Sequence, residues 1–171
     1  MIRLAHADIF VANGAGTESF LDKVIRDRPS LKIVRASDGI ELIRGQGTQG
    51  ENPHVWLSVS FYMKEVANIA AGLERFDPGR AEDYRTNAAA YVAKLAALRQ
   101  KMQDGLKDIK TRDIVTFHES FPYFAREFNL RVAAVIEREP GAEPSARELV
   151  ACIDTVKRTG VKALFVEPQY P

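Results

Sequence analysis

Between Asp77 and Lys110 the sequence carries one continuous helical signal, longer than a single compact lobe of a chain this size needs. Asp77-Pro78 supplies an N-cap residue followed by a first-turn proline, and Glu82 and Asp83 come next, where carboxylates suit the positive end of the helix dipole. Tyr84, Ala88, Tyr91, Leu95, Leu98, Met102, Leu106 and Ile109 then recur at steps of three or four, which predicts one apolar stripe along the whole length. At about 1.5 Å per residue, a helix over 78–110 spans roughly 50 Å. Such a helix is expected to brace two lobes. Gly105 weakens its far end, so the boundary is expected between residues 104 and 111.

On both sides short strands alternate with helices, the order of an α/β protein with parallel pairing. The expected architecture is two small α/β lobes, residues 1–77 and 111–171, joined by one long rigid helix over 78–110. In the first lobe a strand over Asp8 to Ala12 meets a turn at Asn13-Gly14-Ala15-Gly16-Thr17. Thr17 is the expected N-cap of a helix with Phe20, Leu21, Val24 and Ile25 on one face, ended by Pro29. A strand over Leu31 to Val34 and a polar loop over Gly39 to Glu51 follow. Ser58 then caps a helix carrying Phe61, Met63, Val66, Ile69, Ala70 and Leu73. In the second lobe, Asp113 to Phe117 is expected to alternate as a strand, 123–129 to form a short helix and Arg131 to Ile136 a strand. Glu137 to Glu143 reads as a loop. Pro144-Ser145 opens a helix with Leu149, Ile153 and Val156 on one face, Gly160 closes it, and Val161 to Val166 is the last strand.

Charge excludes some partners. Lys and Arg number 24 against 23 Asp and Glu with no block of one sign, so neither a nucleic-acid surface nor a polybasic membrane anchor is expected. The one cysteine, Cys152, falls among apolar helix positions and reads as a small buried side chain; no disulfide can form within the chain. Met1 to Ala7 lacks the pattern of a signal peptide and no 18-residue apolar run occurs, which on their own place the chain in the cytoplasm. Both ends read as cut within a structural pattern.

Two of the three histidines share a setting. His54 follows a proline and precedes Val-Trp-Leu; His118 follows an apolar strand and precedes Glu-Ser-Phe. Each is held between bulky neighbours, as a metal ligand must be if a neutral imidazole is to keep one orientation. A buried, hydrogen-bonded structural histidine is the alternative reading, and 64 residues separate the pair without any short metal signature. His118-Glu119 is not a zinc-protease helix, because Pro122 stands where the second histidine would be and breaks that helix. Gly14 and Gly16 do not make a dinucleotide turn, because Ser19 replaces the third glycine. Trp56, Phe121, Tyr123 and Phe124 are expected to line a cleft or core, and His6 to be a surface or packing residue.

At these motifs the chain resembles the solute-binding proteins of zinc and manganese ABC transporters, a family that includes metal-binding adhesin lipoproteins. The matching stretches are Ala7 to Gly14 with Glu18, Asn52-Pro53-His54-Val55-Trp56-Leu57, Asp83-Tyr84, Asn87 to Leu95, Thr116 to Phe124, Glu143-Pro144-Ser145 with Leu149, and Val161 to Gln169. Together they cover essentially the whole chain.

The resemblance implies two lobes around one metal ion, with His54 and His118 matching the second and third of four family ligands and Glu119 as an outer-shell candidate. The first ligand would precede Met1 and the fourth would follow Pro171, so the chain resembles a family member shortened at both ends. It implies a carrier and not an enzyme: a periplasmic or extracellular protein, membrane-anchored when intact, that takes zinc or manganese and delivers it to a membrane permease. His118 leans the metal toward zinc, since a carboxylate there would suit manganese. A surface adhesin is the alternative; a metallohydrolase, with Glu119 as its base, is a weaker one. Sheet edges left open by shortening would favour a strand-exchanged homo-oligomer.

Overall fold

The computed structural model describes residues 6–45, 50–137 and 145–166. Strand β1 (Ile9–Ala12) pairs in parallel with β2 (Lys32–Arg35), and the second sheet is also parallel, with β3 (Asp113–His118) between β4 (Arg131–Glu137) and β5 (Leu164–Phe165). The parallel pairing and α/β class follow the sequence reading. β3 does not alternate as expected: Ile114, Val115 and Thr116 are buried in succession, because a central parallel strand is covered on both faces. Only two residues of the expected last strand are paired. The expected loop over 137–143 falls almost wholly outside the described residues.

The first turn differs from expectation. Thr17 caps no helix; its Oγ1 accepts from Asn13 Nδ2 at 3.0 Å, while the Glu18 carboxylate accepts the backbone N–H groups of Asn13 (2.7 Å) and Gly14 (3.0 Å). Gly14 has φ +83°, and a Cβ there would lie 2.4 Å from Ser37 Oγ, so only glycine fits. The helix is delayed: a 3-10 turn over Ser19–Leu21 precedes a five-residue α1 (Asp22–Arg26), and Phe20 projects into solvent.

Helix α2 (Val59–Phe76) begins as predicted, with Ser58 Oγ accepting from Phe61 N at 3.2 Å. Gly72 lets it press on β2, since a Cβ there would come within 2.5 Å of the Val34 methyls. Asn68 Nδ2 donates to the carbonyls of Ala36 and Asp38, and Lys64 Nζ to that of Gly39. The long helix, α3 (Ala81–Leu106), packs back along α2. It starts later than expected. Asp77 makes no capping bond; its carboxylate accepts from Arg80 Nε (2.8 Å) and Tyr84 Oη (2.7 Å), and Pro78–Arg80 forms a 3-10 turn before the helix proper. Twenty-six residues span about 39 Å, shorter than the expected helix, and the end at Leu106 falls inside the expected window. Of the predicted stripe only Leu95 is fully buried; Tyr91 and Leu98 lie at its exposed flank.

Helix α4 (Pro122–Glu127) binds these pieces together. Glu127, 6% exposed, accepts from Ser58 Oγ (2.8 Å), Ser60 Oγ (2.6 Å) and Arg99 Nε (2.7 Å). Burial pushes this carboxyl up, but the bonds from Ser60, Ser58 and Arg99 outweigh it and hold Glu127 below the usual carboxylate range. Two apolar clusters flank the start of α2: Ile40, Val55 and Tyr123 on one side, and Val59, Leu95 and Phe128 on the other. Helix α5 (Ala146–Thr159) has the capping box of Ser145 with Glu148 and closes on Gly160 at φ +65°. Leu149 and Ile153 nevertheless remain 41% and 51% exposed. Cys152 is half-buried there, and burial pushes its thiol up. No helix among the described residues is long and apolar enough to cross a membrane.

Candidate metal centre

His54 and His118 meet. His118 is the last residue of β3 and His54 precedes a 3-10 turn (Val55–Leu57) that leads into α2, so neither lies within a helix. Their ring centroids are 5.0 Å apart with the planes at 84°. Both rings are half-buried, and Trp56 lies edge-on to His54 at 5.3 Å. His6 is exposed. Among the described residues no group of three or more His, Cys, Asp or Glu converges as a metal site.

What holds His54 is a short loop whose backbone is almost fully committed. Pro53 O accepts from Val55 N (2.9 Å) and from Asn13 Nδ2 (3.2 Å), which ties the histidine to the turn after β1. Asn52, 4% exposed, accepts on Oδ1 from His54 N (3.0 Å) and lies 2.9 Å from His54 Nδ1. Its Nδ2 donates to Glu119 O at 2.7 Å. Tyr123, 1% exposed, donates its hydroxyl to Asn52 O (2.7 Å) and accepts from Ile43 N (2.9 Å), while Asn52 N donates to Ile43 O (2.7 Å). The hydroxyl thus completes a pairing that two backbones begin. Burial raises the Tyr123 hydroxyl above its ordinary value, against a lowering pull from the Ile43 N–H.

The sequence singled out both histidines as candidate ligands and Tyr123 as a cleft or core residue, but not Asn52 as the partner of His54 nor the Tyr123 hydroxyl as a bridge. Glu119 enters this network through its backbone carbonyl, and the partner at His54 Nδ1 is Asn52. One local signal was available: an asparagine two residues before a backbone N–H can fold into an Asx turn. The other bonds join residues far apart in sequence.

The model of the ZnuA family, described as zinc-uptake complex component A, periplasmic, matches residues 1–171. The chain belongs to that family. Among curated relatives of this ZnuA-family chain, the zinc-binding lipoprotein AdcA of Streptococcus pneumoniae is 31% identical over 180 residues, covering 96% of the chain and 36% of that protein. The manganese-binding lipoprotein MntA of Halalkalibacterium halodurans is 30% identical over 166 residues, covering 96% and 55%. The chain therefore spans about a third to a half of the curated relatives it matches. A crystal structure of ZnuA superposes with a TM-score of 0.87 at 34% identity, over 99% of this chain and 66% of that one. A mutant structure of the laminin-binding adhesin Lmb of Streptococcus agalactiae gives 0.85 at 28% identity, over 96% and 64%.

Proposed function

We propose that this chain is the metal-capturing part of an extracytoplasmic solute-binding protein, which takes a divalent transition metal between His54 and His118 and passes it to the permease of an ABC transporter. Residues 1–77 and 111–171 act as two lobes braced by the long helix, with the cargo at their junction. The protein is a carrier and no reaction is assigned to it. The observation that carries this reading is the 5.0 Å separation of the two rings. A zinc–nitrogen bond of about 2.0–2.1 Å puts a ring centroid roughly 3.2 Å from the ion, and two rings at a tetrahedral angle then stand roughly 5.2 Å apart. The observed spacing fits that figure. Zinc is favoured over manganese because both donors are imidazoles. Two imidazoles fill half of a four-coordinate site, and water or further donors take the rest.

Isothermal titration of zinc and of manganese into the chain tests this. Zinc is expected to bind more tightly than manganese, and His54→Ala or His118→Ala to weaken zinc at least tenfold. Unchanged affinity in both variants would sink the carrier reading. A second reading, a surface adhesin, draws on the similarity to Lmb. Binding of laminin by metal-stripped chain would favour it.

A further inference from the structure

We propose that Asn52 is the positioning residue of the site: its amide oxygen fixes the tautomer of His54 and its amide nitrogen holds the turn that carries His118. This rests on the carrier reading for its purpose, but its geometry stands apart from any metal. The amide orientation follows from partners that cannot exchange roles. A backbone N–H only donates, and that of His54 faces Oδ1 at 3.0 Å; a carbonyl only accepts, and that of Glu119 faces Nδ2 at 2.7 Å. Oδ1 has no hydrogen to give, so the bond at 2.9 Å to His54 Nδ1 requires the proton on Nδ1. In the neutral ring Nε2 then carries the lone pair, the nitrogen a metal would use.

The same side chain reaches both histidine segments. Glu119 directly follows His118, and Ser120 N donates back to His118 O at 2.9 Å, so the amide nitrogen of Asn52 grips a tight turn at the end of β3. With Asn52 4% exposed, no water competes readily for either end. Aspartate could replace only half of this function: it keeps an acceptor for His54 and turns a second acceptor toward the Glu119 carbonyl. Leucine keeps neither.

Histidine-labelled, metal-free chain, read by long-range proton–nitrogen spectra near pH 8, decides the matter. Wild type is expected to show His54 protonated at Nδ1, with a ring-to-ring Overhauser contact to His118. Asn52→Leu should lose both, and weaken zinc about 10- to 100-fold. Asn52→Asp, nearly the same size and less at risk of misfolding, should keep the Nδ1 tautomer while amide-exchange protection at Ser120 falls about tenfold. An Nε2-protonated His54 in wild type, or an unchanged tautomer in Asn52→Leu, overturns the proposal, as does undiminished Ser120 protection in Asn52→Asp. If wild type shows the expected tautomer and coupling yet binds no zinc, the carrier reading fails and the role of Asn52 in fixing the ring stands.

Discussion

The joint around His54 and the helix α5 are built on opposite terms. In the joint, residues 52–54 have no regular secondary structure, yet Asn52, Val55 and Tyr123 are almost wholly buried. Helix α5 has a complete capping box, a left-handed glycine at its end and Lys157 and Arg158 in its last turn, and yet none of its residues is fully buried. Good helix ends satisfy a helix's own backbone and say nothing about what covers its side chains. Conversely, a loop can be buried when long-range partners take up its polar groups. The joint should therefore be the more cooperative region, and α5 should open at lower free energy in native-state hydrogen exchange.

The sharpest way to break that contrast is Tyr123→Phe. It leaves Ile43 N and Asn52 O buried without the hydroxyl that serves both. At roughly 1–3 kcal/mol for each orphaned group, a loss of about 3–4 kcal/mol is expected in urea unfolding. A loss below about 1 kcal/mol would mean that the joint does not depend on this bridge.

Burial has its own cost within α2. Glu65 on α2 is 2% exposed, and its Oε1 has no hydrogen-bond partner among the described residues. Burial raises this carboxyl from 4.5 to about 7. The folded state thus keeps a proton that the unfolded state releases, and stability falls as pH rises from about 4.5 to about 7. Glu65→Gln is expected to stabilise the chain by on the order of 2 kcal/mol at pH 8 and to have little effect at pH 5. Thermal melts at the two pH values measure this; equal effects at both would show that the charge is not the cause.

The smallest effects are expected in α5. Ser145→Ala should cost about 1 kcal/mol by removing the cap. Val150→Ala, at a position 57% exposed, should stay within about 0.5 kcal/mol. If the valine change costs more than the cap, something covers this face in solution, and the contrast with the joint must be redrawn.

The features legible from sequence are those whose partners lie within a few residues. The Ser58 cap, the helix start at Ser145, the stop at Gly160 and the glycine turn after β1 are all of this kind. Misplaced features had a competing partner that spacing could not reveal. Asp77 is claimed by Arg80 and Tyr84, so α3 starts at Ala81; Thr17 is claimed by Asn13, so α1 starts late. His54 and His118 stood out by their rigid neighbours, but nothing in the 63 intervening residues fixes a 5.0 Å approach. Asn52 and Tyr123 tie the two segments together, through bonds spanning 67 and 71 residues. The sequence by itself determined the α/β class, the parallel strands and most helix ends, because periodicity and capping act within one or two turns of chain, and it singled out the two histidines only as candidate ligands. Only the tertiary structure decided which polar groups satisfy one another across the joint, because burying them requires partners that only the folded chain brings within hydrogen-bond reach.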